Sequence, residues 1–378
     1  MIENSLKHFA SIEDPRIERC KRYELMDILL LSVCAVISGA EGWEDIEDFG
    51  KLKLDWLRQY RPFEQGIPRH DTIARVIYRL KPEEIEKAFQ SWISELIDVT
   101  GCDVIAIDGK TARRSFQTRE RTNPLHAVSA WSCQHQLVLG QVAVNQKSNE
   151  ITAIPELLSL LDIENSIITL DAMGCQKEIA KQIVRSKADY VLALKGNHSG
   201  LQAELEAWWH KSVREGLTKE QYSQYTETDS GHGRIEVRHC EQLVVDPRWL
   251  AKEYRWEGLK TIIKVTARIE EKASGKTSEE TRWYISSLLP NAAQALHAVR
   301  SHWQVESMHW MLDMTFREDE SRIRKGNGAL AFNVLRKIAL NLFKRDDTVK
   351  ASMARKKKMA ALDDEFRSVL LESMIKMR

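Results

Sequence analysis

An apolar run, Val104-Ile105-Ala106-Ile107, delivers Asp108 and then breaks through Gly109 into the cations Lys110, Arg113 and Arg114. β-Branched side chains at this density suit a buried strand, and glycine supplies a break, so the spacing predicts a strand that ends at Asp108. Two further runs repeat the device. Ser166–Leu170 leads into Asp171, and Asp189–Leu194 leads into Lys195-Gly196-Asn197, with amphipathic helical patterns over 150–161 and 176–186. Short apolar strands alternating with helices require a mixed α/β sheet, and in open sheets of this kind ligands gather at the carboxyl ends of the strands. A lone Asp-Gly after a strand is more often a turn cap. An acid set among cations that can grip a phosphate points instead to metal-dependent phosphate chemistry.

The flanking segments obey other periods. Residues 1–98 read as a helical domain: Tyr23–Ser38 is strongly apolar, and Trp43, Ile46, Phe49, Leu52 and Trp56 recur at three-to-four spacing. Arg69, Arg75 and Arg79 fall on a short helix, either the reading helix of a helix-turn-helix or a plain amphipathic helix with solvated arginines. Over 126–145 two alternating runs predict a hairpin. Residues 200–280 open with a Trp208-Trp209 helix and continue in strand-like alternation, which predicts a β-rich insertion with a hairpin tip at 273–276. A strand over Trp283–Leu288, helices over Asn291–Met314 and Ala329–Arg345, and a basic tail around Arg355–Lys358 complete the chain. The expected domains are 1–98, 99–345 and 346–378.

Composition limits the partners less than charge distribution does. The net charge of +1 gives no bulk attraction to nucleic acid, yet 321–360 holds 12 basic and two acidic side chains. The six cysteines show no CxxC pairing, as expected of reduced thiols in the cytoplasm, and exclude a zinc knuckle. The amino terminus lacks a leader, and the longest apolar run, Ile28–Ser38, is too short for a bilayer. A cytoplasmic protein without a membrane partner is expected.

The stretch VRSHWQVESMHWMLDMTF sorts into two helical faces. Val305, Met308 and Leu312 suit a core, whereas His302, Glu306, His309 and Asp313, spaced four, three and four apart, form a polar stripe flanked by Trp303 and Trp310. Such a stripe is either solvated or a metal or phosphate site. The Glu-x-x-His spacing at Glu306 and Glu236 matches di-iron bundles, but Glu236 lies in an alternating stretch where i and i+3 face opposite ways. HExxH and GxxxxGK[ST] are absent. Asp108, Asp171 and Glu306 remain.

This order of acids, together with IAIDGKTARRS, ITLDAMGCQ, VLALKGNH, SGHGRIEVR and HWQVESMHWMLDMTFREDESR, resembles the DDE transposases of bacterial insertion sequences, and most closely the H-repeat-associated transposase-like proteins of enteric bacteria. The resemblance spans essentially the whole chain. It implies a ribonuclease-H-like mixed sheet with a β-rich insertion, preceded by a helical amino-terminal domain. It further implies that Asp108, Asp171 and Glu306 hold Mg2+ or Mn2+, with Asp108 bridging two ions, and that the activity is strand cleavage followed by strand transfer. Double-stranded DNA, bound by a homodimer, is the implied partner. Lys110, Arg113, Arg114, Lys195, Arg300, His302 and Trp303 are the expected DNA contacts, and His309 and Asp313 the supporting residues. Many relatives carry Tyr-x2-Arg-x3-Glu-x6-Lys around the glutamate; here Val299, His302 and Asp313 occupy the flanking positions. Two other functions fit the same residues: a DNA-binding relic or regulator without catalysis, and a nonspecific metal-dependent nuclease.

Overall fold

The computed structural model describes residues 7–97, 103–116, 123–144, 149–216, 218, 221–231, 233–245 and 256–374. Five helices come first: α1 (Leu25–Ile37), α2 (Trp43–Leu52), α3 (Leu54–Leu57), α4 (His70–Ile77) and α5 (Pro82–Leu96). Strands β1 (Val104–Thr111), β2 (His126–Ser132) and β3 (Leu137–Ala143) follow. Then come α6 (Glu150–Leu160), β4 (Ile167–Leu170), α7 (Lys177–Arg185), β5 (Asp189–Leu194) and α8 (Ser199–Glu215). Strands β6 (Tyr222–Gly231), β7 (Arg234–Val244), β8 (Thr261–Glu271) and β9 (Thr277–Ser286) precede α9 (Ala292–Phe316), α10 (Gly328–Arg345), α11 (Met353–Leu362) and α12 (Asp364–Glu372). The result is a mixed α/β architecture.

The chain divides into two compact units: Met1–Asp98, Gly109–Asn149 and Glu306–Arg378 form one, and Val99–Asp108 with Glu150–Val305 the other. The division passes through β1 and through α9. It differs from the expected boundaries because the helices of the first hundred residues do not close a core alone. In the first unit α1, apolar on every side and buried nearly throughout, packs on α10. Trp43 meets Phe332 of α10 and Tyr78 edge-on, with ring centroids 5.4 and 5.5 Å apart. The α2–α3 break at Lys53 interrupts the expected apolar stripe, so Trp56 is buried while Leu52 is exposed.

The expected basic tail is instead a pair of packed helices in the same unit. Asp363 caps α12 by accepting the backbone N–H of Glu365 and Phe366. Lys356 is 6% exposed, donates to the carbonyls of Phe343 and Asp346, and lies 2.8 Å from Asp346 Oδ2. Lys357 donates to the Thr315 carbonyl. A lysine buried this way must spend its donors internally, which removes it from any solvated basic surface.

In the second unit the strand order is β1-β4-β5-β9-β8-β7-β6. β1, β4 and β5 are parallel, with α7 crossing from β4 to β5 and β2, β3 and α6 intervening between β1 and β4, and their runs are buried as parallel strands must be. The expected insertion is continuous with this sheet: β9 begins at Thr277, six residues before its predicted start, and its final residues Trp283–Ser286 pair antiparallel with Val191–Leu194 of β5. Its outer end is polar and exposed, which blunts the β6 edge. The tip at 273–276 turns through Gly275 at φ +65°, as the sequence predicts.

β1 does not end at Asp108 but runs on through Gly109, Lys110 and Thr111, and the next amide, Ala112, donates to the Leu125 carbonyl at 2.8 Å. Glycine permits a break without requiring one. In the first unit β2 and β3 form the expected hairpin, and Asn341 of α10, fully buried, grips β3: its side-chain carbonyl accepts the Val138 N–H at 2.9 Å and its amide donates to the Val138 carbonyl at 2.9 Å. Asn341→Ala strands both groups, at about 1–3 kcal/mol each. A clear fall in the urea midpoint is expected; an unchanged midpoint refutes this role.

Candidate active site

Register decides where the first two acids stand. Ile107 of β1 lies opposite Leu170 of the parallel β4, so Asp108 and Asp171, the next residue on each chain, occupy the same end of neighbouring strands about 4.8 Å apart. Both are partly exposed. Asp171 is held by its own turn, with Oδ1 accepting the backbone N–H of Met173 at 2.9 Å and of Gly174 at 3.2 Å. Gly174 suits that turn because a Cβ there would meet Leu170 at 3.0 Å.

Thr169, two residues before Asp171 and so on its face of β4, places Oγ1 3.0 Å from Nδ1 of His302 on α9. Burial pushes the His302 imidazole down to about 4, against the upward pull of Asp171 and with the help of Lys195. Lys195 itself is exposed just beyond β5. Further along the same unit, Arg300 pairs with Glu227 and with Asp229 at 3.3 Å, and Arg282 lies 4.9 Å over the half-exposed Trp303 ring. Arg300, Arg282 and Trp303 line a cavity of about 360 Å³ with Arg234, Arg238, Glu236 and Glu280. Ion pairs Arg238–Glu236 and Arg282–Glu280 offset part of its positive charge.

In the first unit, α9 sorts its faces as the sequence predicts. Met308 and Leu312 are fully buried, while Glu306 is exposed. Burial, with Lys337 and Lys110 adding to it, pushes His309 down to about 3. Burial also raises the Asp313 carboxyl, against the pull of Lys110.

Of the cations after Asp108, Arg113 and Arg114 are exposed, whereas Lys110 is drawn in among carboxylates instead of being open to a phosphate as expected. The Lys110 ammonium lies 2.8 Å from Asp313 Oδ1, 3.1 Å from Glu318 Oε2 and 3.2 Å from Asp319 Oδ1, with its side chain 12% exposed. Burial works against that charge, but the carboxylates prevail and its pKa is raised. Arg113 reaches Asp319 at 3.1 Å, and the Arg114 carbonyl accepts from Arg324 at 2.8 Å. Glu318 also accepts from Asn333 of α10 at 2.7 Å. Sequence reasoning missed these partners and Thr169. The signal for the former was present: the acids of REDES, 317–321, complement the cations of GKTARR.

Asp108 and Asp171 are thus brought to one strand edge, and His302 and Lys195 lie near it. Glu306, Lys110, Arg113, His309 and Asp313 belong to the other unit. Among the described residues no group of three or more His, Cys, Asp or Glu side chains is gathered closely enough to hold a metal.

A family model described as a transposase DDE domain matches residues 100–342, and one described as DDE_Tnp_1-associated matches 6–93. The chain belongs to the DDE transposase family. It is 42% identical over 373 residues to the "H repeat-associated putative transposase YhhI" of Escherichia coli K12, covering 98% of each chain. It is 43% identical over 365 residues to the "Putative transposase YncI" of Escherichia coli O157:H7, covering 96% of this chain and 93% of that one. A shorter Escherichia coli K12 relative, "Inactive transposase YbfQ", is 57% identical over 76 residues, 20% of this chain. Members of the DDE transposase family use divalent metal ions and act on DNA, and no described helix of this chain is long and apolar enough to cross a membrane.

The two α9 histidines give a pH signature. Their folded pKa values lie below the unfolded value of about 6.5, so between the two the unfolded chain binds protons that the folded chain refuses. Stability therefore falls as pH drops from about 6.5 towards 4. The double variant His302→Gln/His309→Gln should flatten the dependence of Tm on pH between about 7 and 5; a slope equal to wild type would mean that the folded imidazoles charge normally.

Proposed function

We propose that this transposase cuts and rejoins DNA at the ends of a mobile element, with Asp108, Asp171 and Glu306 as ligands for divalent ions, magnesium or manganese. The observation that carries the reading is the Ile107–Leu170 register, which gives two acids one strand edge within the matched DDE region. The parallel β1-β4-β5 core with a helix after the antiparallel strands supports a ribonuclease-H-like fold. Three carboxylates without a thiolate make an all-oxygen donor set, which suits Mg2+ or Mn2+. When bound, a pair of such ions activates water and stabilises the leaving oxygen of a phosphodiester.

The chain's own residues do the rest. Backbone amides fix the Asp171 carboxylate so that it need not reorganise on loading. A neutral His302 beside it adds no cation to compete for that carboxylate. The exposed Lys195, Arg113 and Arg114 reach the phosphate backbone, with a salt-dependent affinity, while Arg300, His302 and Trp303 face the DNA from α9. A homodimer holding both ends of the element in the cytoplasm completes the reading. The presence of all three acids argues against a catalytically inert relic.

The test is Glu306→Gln, which replaces an anionic ligand by a neutral amide of the same shape. Magnesium-dependent nicking of DNA carrying the flanking ends of its own locus should fall by roughly a thousandfold, a loss of several kcal/mol of barrier lowering. Binding to the same DNA in EDTA should persist. Nicking at the wild-type rate would show that Glu306 is not a ligand.

A further inference from the structure

We infer that Arg75 and Arg79, at the carboxyl end of α4, and Arg322 and Lys325, in the loop between α9 and α10, form one phosphate-binding track for duplex DNA. The inference deepens the reading just proposed and rests on DNA being the partner. Every residue of the track belongs to the first unit. All four side chains are exposed, and no ion pair joins them to an acid among the described residues. Arg75 donates to the Asp71 carbonyl, one turn back, at 3.0 Å.

The needs of a helix end join these distant stretches of sequence. The last carbonyls of a helix find no partner within it, and the loop supplies donors: the Asn327 backbone N–H reaches the Tyr78 carbonyl at 3.0 Å, and its side-chain amide reaches the Leu80 carbonyl at 2.8 Å. So close an approach needs glycine on either side, because a Cβ at Gly326 would meet the Tyr78 carbonyl oxygen at 2.7 Å and one at Gly328 the Tyr78 ring at 2.5 Å. Ile323 is buried and anchors the loop, while Arg322 and Lys325 stay in solvent. Arg324 holds the other end: it donates to the Arg114 carbonyl at 2.8 Å and lies 5.5 Å over the Phe116 ring. The exposed Arg114 thereby continues the track. Nearby acids are already committed, Asp319 to Lys110 and Arg113, and Glu320 to Arg317. Cations fixed by backbone bonds and left without acids suit the sugar-phosphate backbone, whose counterions they release. The arginines of α4 thus grip the backbone rather than read bases in a groove.

The experiment measures binding of the full chain, in EDTA, to two duplexes of equal length, one carrying the flanking ends of its own locus and one with that sequence scrambled, from about 50 to 200 mM salt. Arg79→Gln/Arg322→Gln/Lys325→Gln should keep the wild-type Tm and flatten the slope of log affinity against log salt by about 2–3 on both duplexes, since each lost phosphate contact removes about 0.9. If that variant loses Tm, Lys325→Gln alone decides, with an expected fall of about 0.9. Arg58→Gln/Lys187→Gln/Lys260→Gln removes the same charge from exposed sites elsewhere and should leave the slope nearly unchanged. A wild-type slope in the first triple variant, or equal falls in the two, overturns the track; a loss confined to the locus-end duplex overturns it too, by assigning α4 to base reading. With the metal chelated, these outcomes leave the role of Glu306 untouched. A wild-type chain that binds neither duplex removes DNA as the partner, and the track falls with it.

Discussion

The parallel pairing of Val104–Ile107 with Ile167–Leu170 is the constraint on which the site depends. Ile105 and Ile168, opposite each other, are fully buried, so a slip of one residue would turn buried side chains to the wrong face of the sheet. That penalty, and not any attraction between acids, brings Asp108 and Asp171 to one edge. Like charges at such an edge repel each other. Hydrophobic register supplies the work that keeps them together against that repulsion.

What the sequence revealed and what it hid divide along a physical line. Strand runs, the two faces of α9 and the hairpin tip were legible because period and turn chemistry are local. Asp171 at a strand end was legible for the same reason. The fates of Lys110 and Lys356 were not, because a cation's solvation depends on partners far along the chain; Asp319 lies 209 residues beyond Lys110. The continuity of β9 with β5 was also hidden. A strand pattern says that a segment is extended but not which neighbour it pairs with, so an extension of the sheet read as an insertion.

Buried charge is concentrated in the first unit. Glu318, Arg336 and Lys337 are each at most 3% exposed, and burial pushes Lys337 down to about 8 although it donates to Ser129 at 2.7 Å and to Gln141. Ser129 and Gln141 sit opposite each other on β2 and β3. One lysine from α10 therefore ties both strands of the hairpin to a helix, and Asn341, one turn later, ties β3 alone. An apolar core would pack these elements as tightly but would accept more than one alignment; directional donors do not.

The four antiparallel strands added beyond β5 have a consequence for how such chains diverge. Their anchored end is fixed by the pairing of Trp283–Ser286 with β5, while the hairpin ends at Gly231 and Arg234 and at Glu271–Thr277 lie in solvent, where few side chains pack. Residues gained or lost in register pairs at those tips lengthen or shorten the ribbons without shifting any strand at the anchored end. The reach of the sheet is thus free to change from one relative to the next while the spacing of Asp108 and Asp171 stays as it is.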